Sequence, residues 1–91
     1  MLFISLAKFK GQPKEQEADR LKQEAAKRNI KIKAHYITLG SYDEVVIYEA
    51  PNEKAVIELL MGRTNVVSSE TLVGVKREDV EYHKYGSYGK E

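Results

Sequence analysis

Two short segments of this chain, residues 2–9 (LFISLAKF) and 42–50 (YDEVVIYEA), are apolar at both odd and even positions. In the first, Leu2, Ile4 and Leu6 alternate with Phe3, Ala7 and Phe9. In the second, Val45 and Ile47 alternate with Val46 and Tyr48. Successive side chains of a strand point to opposite faces, so both segments read as strands buried on two sides. Such strands belong in the middle of a sheet, and something must cover each face.

The segments around them supply two helices and two more strands. Gly11-Gln12-Pro13 breaks the first strand, and Pro13 suits a first helical position. Residues 14–28 are helix-forming, with Ala18, Leu21 and Ala25 on one narrow apolar stripe. Acidic residues gather early and basic ones late, Glu24 and Arg28 make an i, i+4 pair, and Asn29 is a C-terminal stop. Residues 30–39 return to strand character, and Gly40-Ser41 reads as a two-residue hairpin turn with glycine first. Pro51 ends the next strand, and Asn52 is an N-cap for a second helix that buries Ala55, Val56, Leu59 and Leu60. Gly62 closes that helix, with Arg63 beside its C-terminus, and residues 65–76 hold a last strand. Residues 1–79 thus read as one domain. Residues 80–91, with Tyr82, His83, Tyr85 and Tyr88, read as a polar tail.

The order β-α-β-β-α-β predicts an α+β, ferredoxin-like plait. Right-handed crossovers put both helices on one face of a four-stranded antiparallel sheet, with the first and third strands central. The other face keeps large side chains and calls for a second copy, as a homodimer or higher oligomer with facing sheets. With Gly40-Ser41 as the turn, Tyr36 faces Val45 and His35 faces Val46. The face holding Ile32, Ala34, Tyr36, Val45 and Ile47 is expected to pack on the helices. The face holding Lys33, His35, Ile37, Val46 and Tyr48 is expected to line an inter-subunit chamber.

The hairpin reads Tyr36-Ile37-Thr38-Leu39-Gly40-Ser41-Tyr42-Asp43, followed by VVIYEAP and, later, Ser69-Glu70-Thr71-Leu72. This resembles the GYD domain family, named after a Gly-x-Tyr-Asp turn, here Gly40, Tyr42 and Asp43, with Tyr36 and Thr38 in the same motif. The resemblance implies a ferredoxin-like fold of the dimeric α/β-barrel kind and no particular activity. His35 and Ile37 stand where members often carry aromatics beside the motif tyrosine.

The chemistry-bearing residues are few. His35 is a candidate proton-transfer residue in a small apolar chamber, or else an interface histidine bonded to a partner's backbone. Tyr48 and Glu70 are the other candidate ligand contacts. Asp43 is either a general base at the strand mouth or a turn residue bonding backbone, the commoner fate. Tyr36 and Tyr42 orient a ligand or simply keep solvated hydroxyls.

There is no cysteine, and the only histidines are His35 and His83, so no metal site is expected. No phosphate-binding or dinucleotide motif appears, and no cofactor is expected. A net charge of +1 and the absence of basic-aromatic pairing on DEVVIYEA argue against nucleic acid. The apolar start is soon followed by Lys8 and lacks a basic n-region, and no run approaches the ~20 residues of a membrane span. A cytoplasmic location is expected. The Lys/Glu-rich charge load is compatible with a heat-tolerant source. The function expected is an oligomeric module binding a small apolar ligand or a partner. The alternative is a cofactor-independent enzyme, an oxygenase or isomerase of small hydrophobic substrates.

Overall fold

Strand β1 (Leu2–Phe9) is one of the two central strands of the sheet and pairs on both edges along most of its length. The computed structural model describes residues 1–81, so the aromatic residues of the expected tail lie outside the described residues. β1 is followed by helix α1 (Gln16–Lys27), strand β2 (Lys31–Ile37), strand β3 (Glu44–Glu49), helix α2 (Glu53–Met61) and strand β4 (Val67–Gly74), with a short 3-10 turn at Arg77–Asp79. The sheet order is β2-β3-β1-β4, and every neighbouring pair is antiparallel. This is the ferredoxin-like plait, with the two doubly apolar strands in the centre.

Local chemistry sets the element ends. α1 opens at Gln16, later than expected, and Pro13 stays outside it. At its other end Asn29 takes φ 58°, and the Asn29 and Ile30 N–H groups return to the carbonyls of Ala26 and Ala25. That is a Schellman closure, with asparagine in the left-handed position that glycine usually fills. Arg28 meets Glu24 at 3.1 Å, as the i, i+4 spacing foretold. α2 starts where Asn52 Oδ1 accepts from the Ala55 N–H at 2.9 Å.

Both helices pack on the same sheet face. The core joins Leu21 and Ala25 of α1, Ala55, Val56 and Leu59 of α2, and Phe3, Val46 and Tyr48 of the sheet. The Phe3 and Tyr48 rings stack at 5.8 Å. The Tyr48 hydroxyl shares a hydrogen bond with Ser5, which shares another with Thr71, both at 2.8 Å. The buried phenol is thereby satisfied across three strands.

The two sheet faces are the reverse of the sequence expectation. Val46 and Tyr48 lie under the helices, while Ala34, Tyr36, Val45 and Ile47 face away from them. The hairpin register itself is as expected, with Tyr36 opposite Val45 and His35 opposite Val46. Lys33 is an extra residue between the pairs Ile32–Tyr48 and Ala34–Ile47. This bulge changes the phase of β2, so Ile32 joins the helix side although Ala34 does not. On the uncovered face two apolar rows cross the strands. One runs Ala34–Ile47–Ile4–Leu72 and the other Tyr36–Val45–Leu6, ending on Glu70.

Candidate functional site

β3 begins with a carboxylate that the fold buries. Glu44 sits one alternation step beyond Val46, so it too points beneath the helices, and only 3 % of it is exposed. A buried carboxylate must be paired and hydrogen-bonded. Two groups meet it. Arg63, in the turn after α2, reaches Glu44 Oε1 with Nη1 at 3.1 Å and Oε2 with Nη2 at 3.5 Å. The first contact is an ion pair whose N–H is off line, so Oε1 accepts no aligned hydrogen bond. From the edge strand, His35 Nε2 lies 2.6 Å from Glu44 Oε2. An ionised carboxylate only accepts, so a Glu44 paired with Arg63 accepts a hydrogen bond from the Nε2–H of His35. The short distance is that of a charge-assisted bond.

The three side chains form the polar floor of a cavity of about 390 Å³. Its walls come from the end of β1 (Phe9, Lys10), the loop into α1 (Gln12, Pro13, Lys14), the first turn of α1 (Glu17, Ala18) and the segment before β4 (Asn65, Val66). The volume falls at the low end of the ~300–1,000 Å³ range of small-molecule sites. A late start to α1 makes this space, because residues 10–15 form no helix over the floor. Polar groups converge on one side, with apolar Phe9, Pro13, Ile37 and Val67 around them. This is the mixture that orients a small ligand.

His35 keeps one nitrogen free. Its hydrogen bond is made through Nε2, and Nδ1 is not among the fully buried polar atoms without a partner. Nδ1 is therefore not fully buried, on a residue that lines the cavity. With the proton held at Nε2, neutral His35 presents Nδ1 as an acceptor. Arg63 differs, because its Nε is fully buried and has no partner.

The other sequence candidates fall elsewhere. Tyr48 is in the core and does not line the cavity. Glu70 is on the uncovered face, so the structure does not bring His35, Tyr48 and Glu70 together. Tyr36 is exposed on that same face. Glu44 and Arg63 were missed by sequence reasoning. Glu44 had a signal, a charge on the same alternation set as Val46 and Tyr48. Arg63 had none, since an arginine after a helix is usually there for the helix dipole.

The hairpin motif builds a loop that braces the sheet. The last ladder pair is Ile37–Glu44, so the turn is wider than two residues. Thr38 N–H donates to the Asp43 carbonyl at 2.9 Å, and Thr38 Oγ1 donates to the Tyr42 carbonyl at 2.7 Å. Gly40 takes φ 106°, which a side chain would resist. Asp43 is bound twice to β1: its N–H donates to the Ala7 carbonyl, and its Oδ2 accepts from the Phe9 N–H at 2.9 Å. β3 starts too late to pair with Phe9, and the Asp43 carboxylate replaces the missing strand partner. This is a turn aspartate bonding backbone. Tyr42 Oη donates to Glu70 Oε1 at 3.1 Å and its ring lies under Lys8. The adjacent carboxylate holds the Tyr42 phenol above its ordinary value of 10.0, through the hydrogen bond first and charge second.

A family model, the GYD domain, matches residues 5–82. The chain belongs to the GYD domain family. The match spans all four strands, both helices and the hairpin whose Gly40, Tyr42 and Asp43 form the brace. No curated protein and no solved structure matches the chain. Among the described residues no group of three His, Asp or Glu side chains could hold a metal, and no helix is long and apolar enough to cross a membrane.

Proposed function

We propose that this GYD domain protein binds a small, partly apolar molecule in the cavity between its sheet and the start of α1. The observation that carries this is the convergence of His35, Glu44 and Arg63 on the floor of a 390 Å³ space whose walls are part apolar and part polar. A purely structural ion pair would not need an open nitrogen beside it, nor a cavity above it. Native mass spectrometry of the purified protein tests the reading. A bound molecule, or uptake from a metabolite panel, is expected in the native chain. It should be lost in Ala18→Trp, which fills the space from an exposed wall position. No bound molecule and no uptake would overturn it.

A second reading is catalytic, and the 2.6 Å bond between His35 and Glu44 favours it. A histidine oriented by a carboxylate that is itself held by arginine is the arrangement of a general base. The reaction class would be cofactor-independent, an isomerisation or an oxygenation of a small hydrophobic substrate. His35→Ala should then abolish turnover with the assembly intact, and unchanged turnover would remove His35 from the chemistry.

We also infer that the uncovered sheet face is covered by a second copy of the chain. The two apolar rows, one across four strands and the other across three, support this.

A further inference from the structure

We propose that the ligand is a small weak acid with an apolar body, held as its anion against an imidazolium at His35. The inference rests on the binding reading above and narrows it to one ligand chemistry. It follows from the charges on the floor. Glu44 and Arg63 neutralise each other. His35 donates its Nε2–H to Glu44 in a hydrogen bond, which leaves Nδ1, not fully buried, as an acceptor. A ligand seated there must offer a proton.

The proton step balances within the site. The acid's O–H bond breaks and its electron pair stays on the ligand oxygen. The new N–H bond forms at Nδ1, and the imidazolium then lies between two anions, Glu44 and the ligand. Floor and ligand together carry no net charge, so the anion is compensated at the site. An already ionised acid reaches the same state by binding together with a solvent proton. A neutral amide offers Nδ1 a much weaker donor, and an ammonium, though a strong donor, adds a positive charge that the neutral floor does not compensate.

The rim agrees with this assignment. Lys10 and Lys14 stand at the mouth. The first turn of α1 also opens onto the cavity, with its N-terminal N–H groups lacking a side-chain cap. Glu15 and Glu17 line it as well, and Glu17 leans towards Arg20 at 4.0 Å. The charged rim therefore balances, and the open histidine decides the sign of the ligand.

Benzoate, benzamide and benzylamine share one ring and differ in the group offered to His35, so their titration by calorimetry tests the class. Benzoate should bind at least ~10-fold more tightly than either analogue, a difference of about 1.4 kcal/mol. His35→Gln should weaken benzoate to the level of benzamide. The three-ligand comparison on the native protein stands alone if that variant fails to fold. Benzoate and benzamide binding equally would overturn the weak-acid assignment and leave the cavity as a binding site. If none of the three binds and native mass spectrometry finds nothing bound, the cavity reading falls as well.

Discussion

Arg63 meets Glu44 through both terminal guanidinium nitrogens, deep enough that its side chain is only 10 % exposed. Removing one member of such a pair strands the other charge, at a cost of about 3–5 kcal/mol. Arg63→Met should therefore lower the urea midpoint sharply. Glu44→Leu combined with Arg63→Met should recover most of the loss, because a well-packed apolar pair often replaces a buried ion pair at little cost. A single substitution costing less than ~1 kcal/mol would mean that water reaches the pair, as it does at surface ion pairs. The Tyr42–Glu70 contact makes a different prediction. The phenol is held up because its ionisation would set an anion beside the carboxylate. A group raised on folding contributes stability below its unfolded value, and that contribution is lost as pH rises through the folded value. Glu70→Gln should thus return one tyrosine's ionisation towards 10.0, read as the difference between two ultraviolet absorbance titrations. Superimposable titrations would show that the hydroxyl is not held by Glu70 in solution.

At the scale of elements, caps and register were legible because each rests on chemistry confined to a few residues. Asn29 and Asn52 end and begin helices through bonds within six residues of chain. The hairpin pairs followed from the position of Gly40, even though the turn proved wider than two residues. The choice of buried face was not legible, for a reason that lies in β1 and β3 themselves. Strands apolar on both sides favour neither face, so β2 had to decide, and small Ala34 suggested the close approach of a helix. The helices instead sit over Ile32, which the bulge at Lys33 brings round to their side. The candidate site inherited that inversion: His35 was singled out, but its carboxylate partner and its cavity lie under the helices. Deleting Lys33 tests this account. It removes the unpaired residue, restores a regular ladder and keeps Ile32 and His35 on their present face, giving up an exposed ion pair with Glu49 at 3.6 Å. Deleting Tyr36 instead slips the pairing by one and turns the rest of β2 over. The Lys33 deletion should lower the urea midpoint far less than the Tyr36 deletion; equal losses would mean that the bulge is needed for more than phase.

For the whole molecule the open question is cover. Tyr36 and Leu72 are 57 % and 44 % exposed, and between them the rows run through half-buried Val45, Ile47, Ile4 and Leu6. Two such faces stacked at ~10 Å would bury each other as the sheets of a sandwich do. Tyr36 and Leu72 stand on the edge strands, outside the helix-packed core, so lysine at both positions leaves that core untouched. In a self-associated pair it sets four ammonium groups between the sheets, where each is costly to desolvate. Light scattering at micromolar concentration should report a dimer or larger for the native chain and a single chain for Tyr36→Lys/Leu72→Lys, with unchanged far-ultraviolet circular dichroism. A native chain that stays single at every concentration would remove the second copy. The cavity lies on the other side of the sheet, with Glu44 and His35 on the face beneath the helices. The lysine variant should therefore bind benzoate as the native protein does. Binding that vanished with the dimer would mean that association shapes the cavity across the sheet, through Glu44 and its neighbours on β3.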